Sequence, residues 1–137
     1  MAILADTGPL YAAIDRADSE HERCVAALAR IREPIIVPFP VIVEVCRLIQ
    51  RRLQAEHQSR FLRSLTMGEL EVEHLGDPDI LRAADLVERY ADARFGFVDA
   101  SVVALAERFS VTRLLTLDRR DFSLVRPTHC PSFEFIP

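Results

Sequence analysis

The sequence predicts an α/β fold with a mostly parallel central sheet. Short apolar runs too brief for helices alternate with longer stretches whose apolar residues recur every three to four positions. No repeat, low-complexity tract or Gly/Ser linker interrupts the 137 residues. The length and a 50% apolar content suit one domain over residues 1–137 with a single core.

Residues 2–5 read as the first strand, and Gly8 and Pro9 turn it into a short helix over about 8–16. In SEHE, Ser19 and Glu22 fit a capping box for a second helix, whose stripe of Val25, Leu28 and Ile31 or Ala29 ends before Pro34. PIIVPFP holds a second buried strand, followed by the strongly helical VIVEVCRLIQRRLQ to about residue 54 and a further helix over about 56–66. ELEVEHL, 69–75, alternates like a strand with one exposed face. DPDILRAADLVERYA places Asp77 and Pro78 where helices begin. Helix is expected from about Val98 to Phe109, strand at 113–117 and an edge strand in CPSFEFI.

Composition excludes several classes. No run approaches the ~18–20 apolar residues of a membrane span, and the N-terminus lacks the pattern of a signal peptide, so a cytoplasmic protein is expected. Cys24, Cys46 and Cys130 are widely spaced and odd in number, which suggests reduced thiols. The four histidines form no metal-binding pair on one helix face. A net charge of −4 argues against a nucleic-acid partner unless the acids cluster around cations. The seventeen basic residues are all arginine, a side chain suited to bidentate phosphate contacts.

Four acids sit where apolar residues dominate. Asp6 ends the first strand; it is either a helix N-cap or a carboxylate delivered to the sheet edge where α/β folds bind ligands. Glu44 borders the stripe of Val41, Val45 and Leu48, with a pair to Arg47 as the plainer reading. Asp99 precedes Val102, Val103 and Ala106 on one helix face, with the helix dipole as its plainer partner. Asp118 ends LLTLD as Asp6 ends AILAD, the alternative being an Asx turn. Two carboxylates about 4 Å apart repel by ~4 kcal/mol at an effective dielectric of 20, so such a cluster must be protonated or hold cations. Hard divalent ions are the natural occupants of an all-oxygen site, and phosphodiester hydrolysis is the implied chemistry.

In their order, DTGPL with Asp6, VIVEVCRL with Glu44, FVDASVVALAE with Asp99 and TLDRRDF with Asp118 resemble the PIN-domain nucleases, and more narrowly the VapC-type toxins of toxin–antitoxin pairs. The resemblance runs from residue 3 to about 122. It implies a three-layer α/β/α PIN-like fold and a metal-dependent endoribonuclease whose Asp6, Glu44, Asp99 and Asp118 hold Mg²⁺ or Mn²⁺. It further implies RNA as substrate, products with 5′-phosphate and 3′-hydroxyl ends, a homodimer, and a VapB-type antitoxin whose tail covers the site.

Thr7 and Thr116 flank two of the acids and are expected to steady a carboxylate or a water, and Asp121 either joins them or closes a turn. Arg47 and Arg51 on the Glu44 helix, with Arg119 and Arg120 after Asp118, are candidate RNA contacts; a solvated face with loose ion pairs is the plainer reading. Phe61, Phe109, Phe122, Phe133 and Phe135 do not interleave with basic residues and are expected in the core or a dimer contact. Three rivals remain. Aspartyl-phosphate phosphohydrolases need a second Asp two residues after the first, where this chain has Gly8. A non-catalytic binding module could dispense with the four acids. An RNA-processing PIN nuclease outside any toxin pair would lack a neighbouring antitoxin gene.

Overall fold

The computed structural model describes residues 1–137. Five strands, β1 (Ile3–Ala5), β2 (Ile35–Pro38), β3 (Leu70–Glu73), β4 (Arg113–Leu115) and β5 (Glu134–Ile136), form one sheet in the order β3-β2-β1-β4-β5. Every pairing is parallel, so the sheet is wholly rather than mostly parallel. Seven helices connect the strands: α1 (Thr7–Ile14), α2 (His21–Arg30), α3 (Phe39–Arg52), α4 (Ala55–Ser64), α5 (Asp77–Arg89), α6 (Phe97–Phe109) and α7 (Arg119–Leu124).

Strand order fixes the layers. From β1 the chain steps through β2 to the β3 edge, then returns across β1 to β4 and on to β5. Right-handed crossovers taken in opposite directions lay their helices on opposite faces, which gives the α/β/α sandwich. The reversal falls between β1 and β4, and that boundary is where open parallel sheets form a crevice beyond the strand carboxyl ends. The core lies on both sides of β1, where Ile3, Leu4 and Ala5 are fully buried with Val41, Val45 and Ile49 of α3 and Val102 and Leu105 of α6. α6 is buried almost throughout its middle, which explains why its sequence shows a nearly continuous apolar run.

The structure departs from expectation in specific places. Ser19 and Glu22 form no capping box: Asp18 Oδ1 accepts from the Glu20 N–H at 2.9 Å, and α2 begins at His21. At α5 the capping carboxylate is not Asp77 but the buried Asp79, whose Oδ2 accepts from the Gly76 N–H at 2.9 Å. α3 starts at Phe39, two residues early, because Pro40 is tolerated in a first helical turn where its missing N–H costs nothing. The strand expected at 113–117 stops at Leu115, and a short helix, α7, follows it in place of a loop. Both follow from polar competition: Thr116 Oγ1 accepts from the Asp118 N–H at 2.9 Å, and Asp118 Oδ1 accepts from the Asp121 N–H at 3.2 Å, which turns the chain into a helix. Phe61, Phe122 and Phe133 are core residues, whereas Phe109 is 38% exposed. The cysteines are free. No helix is long and apolar enough to cross a membrane.

Candidate active site

Asp6 is the first residue after β1 and Thr116 the first after β4. The register Leu4 with Leu114 and Ala5 with Leu115 makes them neighbours at the switch point. Asp6 stands in the N-cap position of α1, yet its side chain caps nothing; Oδ2 instead accepts from Thr116 Oγ1 at 2.9 Å. The plainer N-cap reading therefore fails, because the carboxylate is aimed across the sheet edge and not along its own helix. Thr116 is fully buried and uses its hydroxyl twice, donating to Asp6 and accepting from the Asp118 backbone. It thus ties the two strand-end acids into one unit.

Glu44 lies in the second turn of α3, and Asp99 in the first turn of α6, a helix that touches β1, β2 and α3. Asp99 Oδ2 accepts from the Gly96 N–H at 3.3 Å, so its helix-terminal role is partly realised. Glu44 forms no ion pair with Arg47, and none of the four acids takes part in any salt bridge. They do sense one another. Burial pushes the Asp6 carboxyl up to about 6, with the charges of Glu44 and Asp118 acting in the same direction against the hydrogen bond from Thr116. Burial also pushes Asp99 up to about 7, reinforced by the charges of Asp6, Asp118 and Glu44. Asp118 is raised as well, by burial and by Asp121, with Arg120 opposing.

The arrangement is an electrostatic cluster and not a closed ligand shell: no three carboxylate, imidazole or thiol groups stand at metal-binding spacing in this structure. Its chemistry nonetheless suits a hard cation, since the donors are all oxygen, Asp6 is buried and no arginine neutralises it. Thr7 Oγ1, beside Asp6, is buried without a hydrogen-bond partner and can accept one more polar neighbour. Asp121 contributes its backbone N–H to Asp118 and so closes the turn.

Truncating the Thr116 hydroxyl while keeping its shape tests the pairing. Thr116→Val leaves a buried Asp6 oxygen without its donor and should destabilise the fold by about 1–3 kcal/mol at pH 7.5, with a smaller loss at pH 5 where Asp6 is protonated. Urea unfolding at the two pH values measures the difference.

Arg47, Arg51, Arg119 and Arg120 are all exposed, and Arg119 donates a hydrogen bond to the Pro137 carbonyl. Phe39 is the first residue after β2 and His74 the first after β3, and the register Pro38 with Glu73 brings them side by side. Their rings stack at 4.9 Å between centroids and 25° between planes, and both side chains are exposed. The missing signal is tertiary, because 35 residues separate two rings that only strand pairing unites.

The PIN domain family profile matches residues 3–126. Over 135 residues the chain is 33% identical to "Ribonuclease VapC26" of Mycobacterium tuberculosis, covering 98% of this chain and 100% of that one. Among solved structures it superposes on the sarcin–ricin loop cleaving toxin VapC20 of Mycobacterium tuberculosis with a TM-score of 0.81 at 19% identity, covering 86% of this chain and 91% of that chain. It also superposes on VapBC2 of Rickettsia felis bound to a promoter DNA fragment, with a TM-score of 0.71 at 16% identity and both chains fully covered. With a wholly parallel five-stranded sheet and acids gathered at its switch point, the chain belongs to the PIN-domain family and, within it, to the VapC-type ribonucleases.

Proposed function

We propose that this protein is a metal-dependent endoribonuclease toxin whose Asp6, Glu44, Asp99 and Asp118 hold Mg²⁺ or Mn²⁺ at the sheet edge. The reading is carried by a buried acid, Asp6, gathered with Glu44, Asp99 and Asp118 and without an ion pair to any of them: burial and the charges of Glu44 and Asp118 raise Asp6, and burial with the charges of Asp6, Asp118 and Glu44 raises Asp99. When bound by Asp6, Glu44, Asp99 and Asp118, a divalent ion would relieve that repulsion and would supply a water of lowered pKa and a counter-charge for the scissile phosphate. Asp6, fixed by Thr116, orients the site; Glu44 and Asp99 enter from two helices; Asp118 is held by the turn that Asp121 closes. Their remaining lone pairs accept protons or orient the attacking water. The test is cleavage of RNA by the purified chain with Mg²⁺ or Mn²⁺ and its loss in EDTA.

The catalytic unit spans 1–137. Regulation by a VapB-type antitoxin is supported by the VapC relatives and by VapBC2, a toxin–antitoxin pair. A homodimer is supported by Ile80, Leu81 and Val87, apolar residues of α5 that are 47%, 68% and 37% exposed. A cytoplasmic location follows from the same reading. Arg120, exposed two residues after Asp118, grips an RNA phosphate beside the acids. Arg120→Ala should lower the slope of log K against log salt by about 0.7 for single-stranded RNA. An unchanged slope in a fluorescence anisotropy titration would remove Arg120 from the footprint, and the same comparison applies to Arg47 and Arg51.

A further inference from the structure

His74, Phe39, Asp6 and Thr116 are each the first residue after their strands, and those strands, β3, β2, β1 and β4, are consecutive in the sheet. The row thus runs from an exposed stacked ring pair straight to the buried acid. Adjacent strands are about 4.8 Å apart, and the register Leu4 with Ile36 sets Asp6 level with Pro38, so Phe39 leaves the sheet on the neighbouring strand one residue beyond that level. Phe39 is 44% exposed, an unusual cost for a large aromatic ring beside a polar crevice. Two further apolar side chains flank the acids in sequence: Val43, 55% exposed next to Glu44, and Phe97, 50% exposed two residues before Asp99. Arg108 Nη2 donates to the His74 carbonyl at 2.9 Å and so steadies the backbone under the second ring.

We propose that the Phe39–His74 pair is a stacking platform for a nucleobase of single-stranded RNA adjacent to the scissile phosphate. The inference rests on the nuclease reading above and adds a determinant of substrate class: an unpaired base must be available to lie on the ring. A base-paired duplex keeps its faces stacked internally and cannot use the platform, whereas a loop or single strand can splay one base out. His74 covers one face of the Phe39 ring, and Phe39 remains 44% exposed for a base to approach. Stacking is tolerant of base identity, so the platform selects for unpairedness more than for sequence.

The experiment compares wild type, Phe39→Ala and Phe39→Tyr on a labelled 12-nucleotide RNA and on versions carrying one abasic nucleotide at successive positions around the cleavage point. Phe39→Ala should lower kcat/KM at least about 5-fold, chiefly through KM, and Phe39→Tyr should restore most of it. At one position the abasic RNA should be cleaved poorly by wild type while Phe39→Ala cleaves abasic and intact RNA alike. The loss should persist at high salt, unlike a phosphate contact. Circular dichroism and melting keep misfolding out of the comparison, and Phe39→Tyr retains the ring if the alanine variant fails. Wild-type cleavage with Phe39→Ala indistinguishable from it, or losses that simply multiply at every abasic position, would overturn the platform alone. So would a change of oligomeric mass in Phe39→Ala with cleavage intact, which assigns the face to protein contact. A wild-type chain that neither binds nor cleaves RNA would sink the nuclease reading and the platform together.

Discussion

Asp6→Asn abolishes RNA cleavage and, in metal-free protein at pH 7.5, raises the melting temperature. The two effects have one cause. The Asp6 carboxyl is pushed from 3.8 to about 6 by burial. Keeping it ionised at pH 7.5 therefore costs up to about 3 kcal/mol at 1.36 kcal/mol per pK unit. Asparagine fills the same space, keeps an oxygen to accept from Thr116 and carries no charge, so the cost disappears. For a chain of this length the recovered stability corresponds to roughly 5–10 °C in Tm. An ordinary core or capping aspartate behaves oppositely, since its replacement removes favourable interactions. Calorimetry of the metal-free variant decides it: a lower Tm than wild type at pH 7.5 would show that Asp6 stabilises the fold, and full cleavage by the variant would remove it from the site.

Metal-free wild type should lose stability as pH rises from about 4 to about 7 and regain it on addition of Mg²⁺ or Mn²⁺. Both Asp6, at about 6, and Asp99, at about 7, have folded-state values above the ordinary carboxylate range. Across that window the folded protein holds protons that the unfolded chain has released, so stability is greatest below about pH 4 for these groups and is lost through 6 to 7. Asp15, Glu33 and Glu107 are shifted downward, and their opposing effect falls at lower pH, where carboxylates ordinarily titrate. A divalent ion at 100 times its Kd adds about 2.7 kcal/mol of stability, and protons compete with it, so the gain should shrink toward pH 5. Glu44→Gln and Asp99→Asn should reduce the gain. Cleavage that survives EDTA, together with no thermal shift from either ion, would overturn the proposed centre.

Local chemistry made much of this chain legible from its residues. β1 and β2 are short apolar runs bounded by proline, glycine or acid, and α3 and α6 show the spacing of buried helix faces. Asp6 and Asp118 stood out because each interrupts an apolar run at its carboxyl end, and Glu44 because it borders a core stripe; that Glu44 makes no pair with Arg47 was decided by the structure. Expectation and structure part where a neighbouring polar side chain takes up a backbone N–H at an element's end. Asp18 displaced Ser19 as the polar partner ahead of α2, Asp79 took the role expected of Asp77, and Thr116 with Asp118 ended β4 early and began α7. Such contests turn on tenths of an ångström and on backbone angles that residue type does not specify.

By itself the sequence determined the alternation of strands and helices and the identity of the isolated acids, because period and burial are written in neighbouring residues. Tertiary structure alone decided that Thr116 bonds to Asp6 across 110 positions and that Phe39 stacks on His74. Those contacts depend on which strands lie side by side, and strand order is settled by packing over the whole sheet rather than by any local stretch of chain.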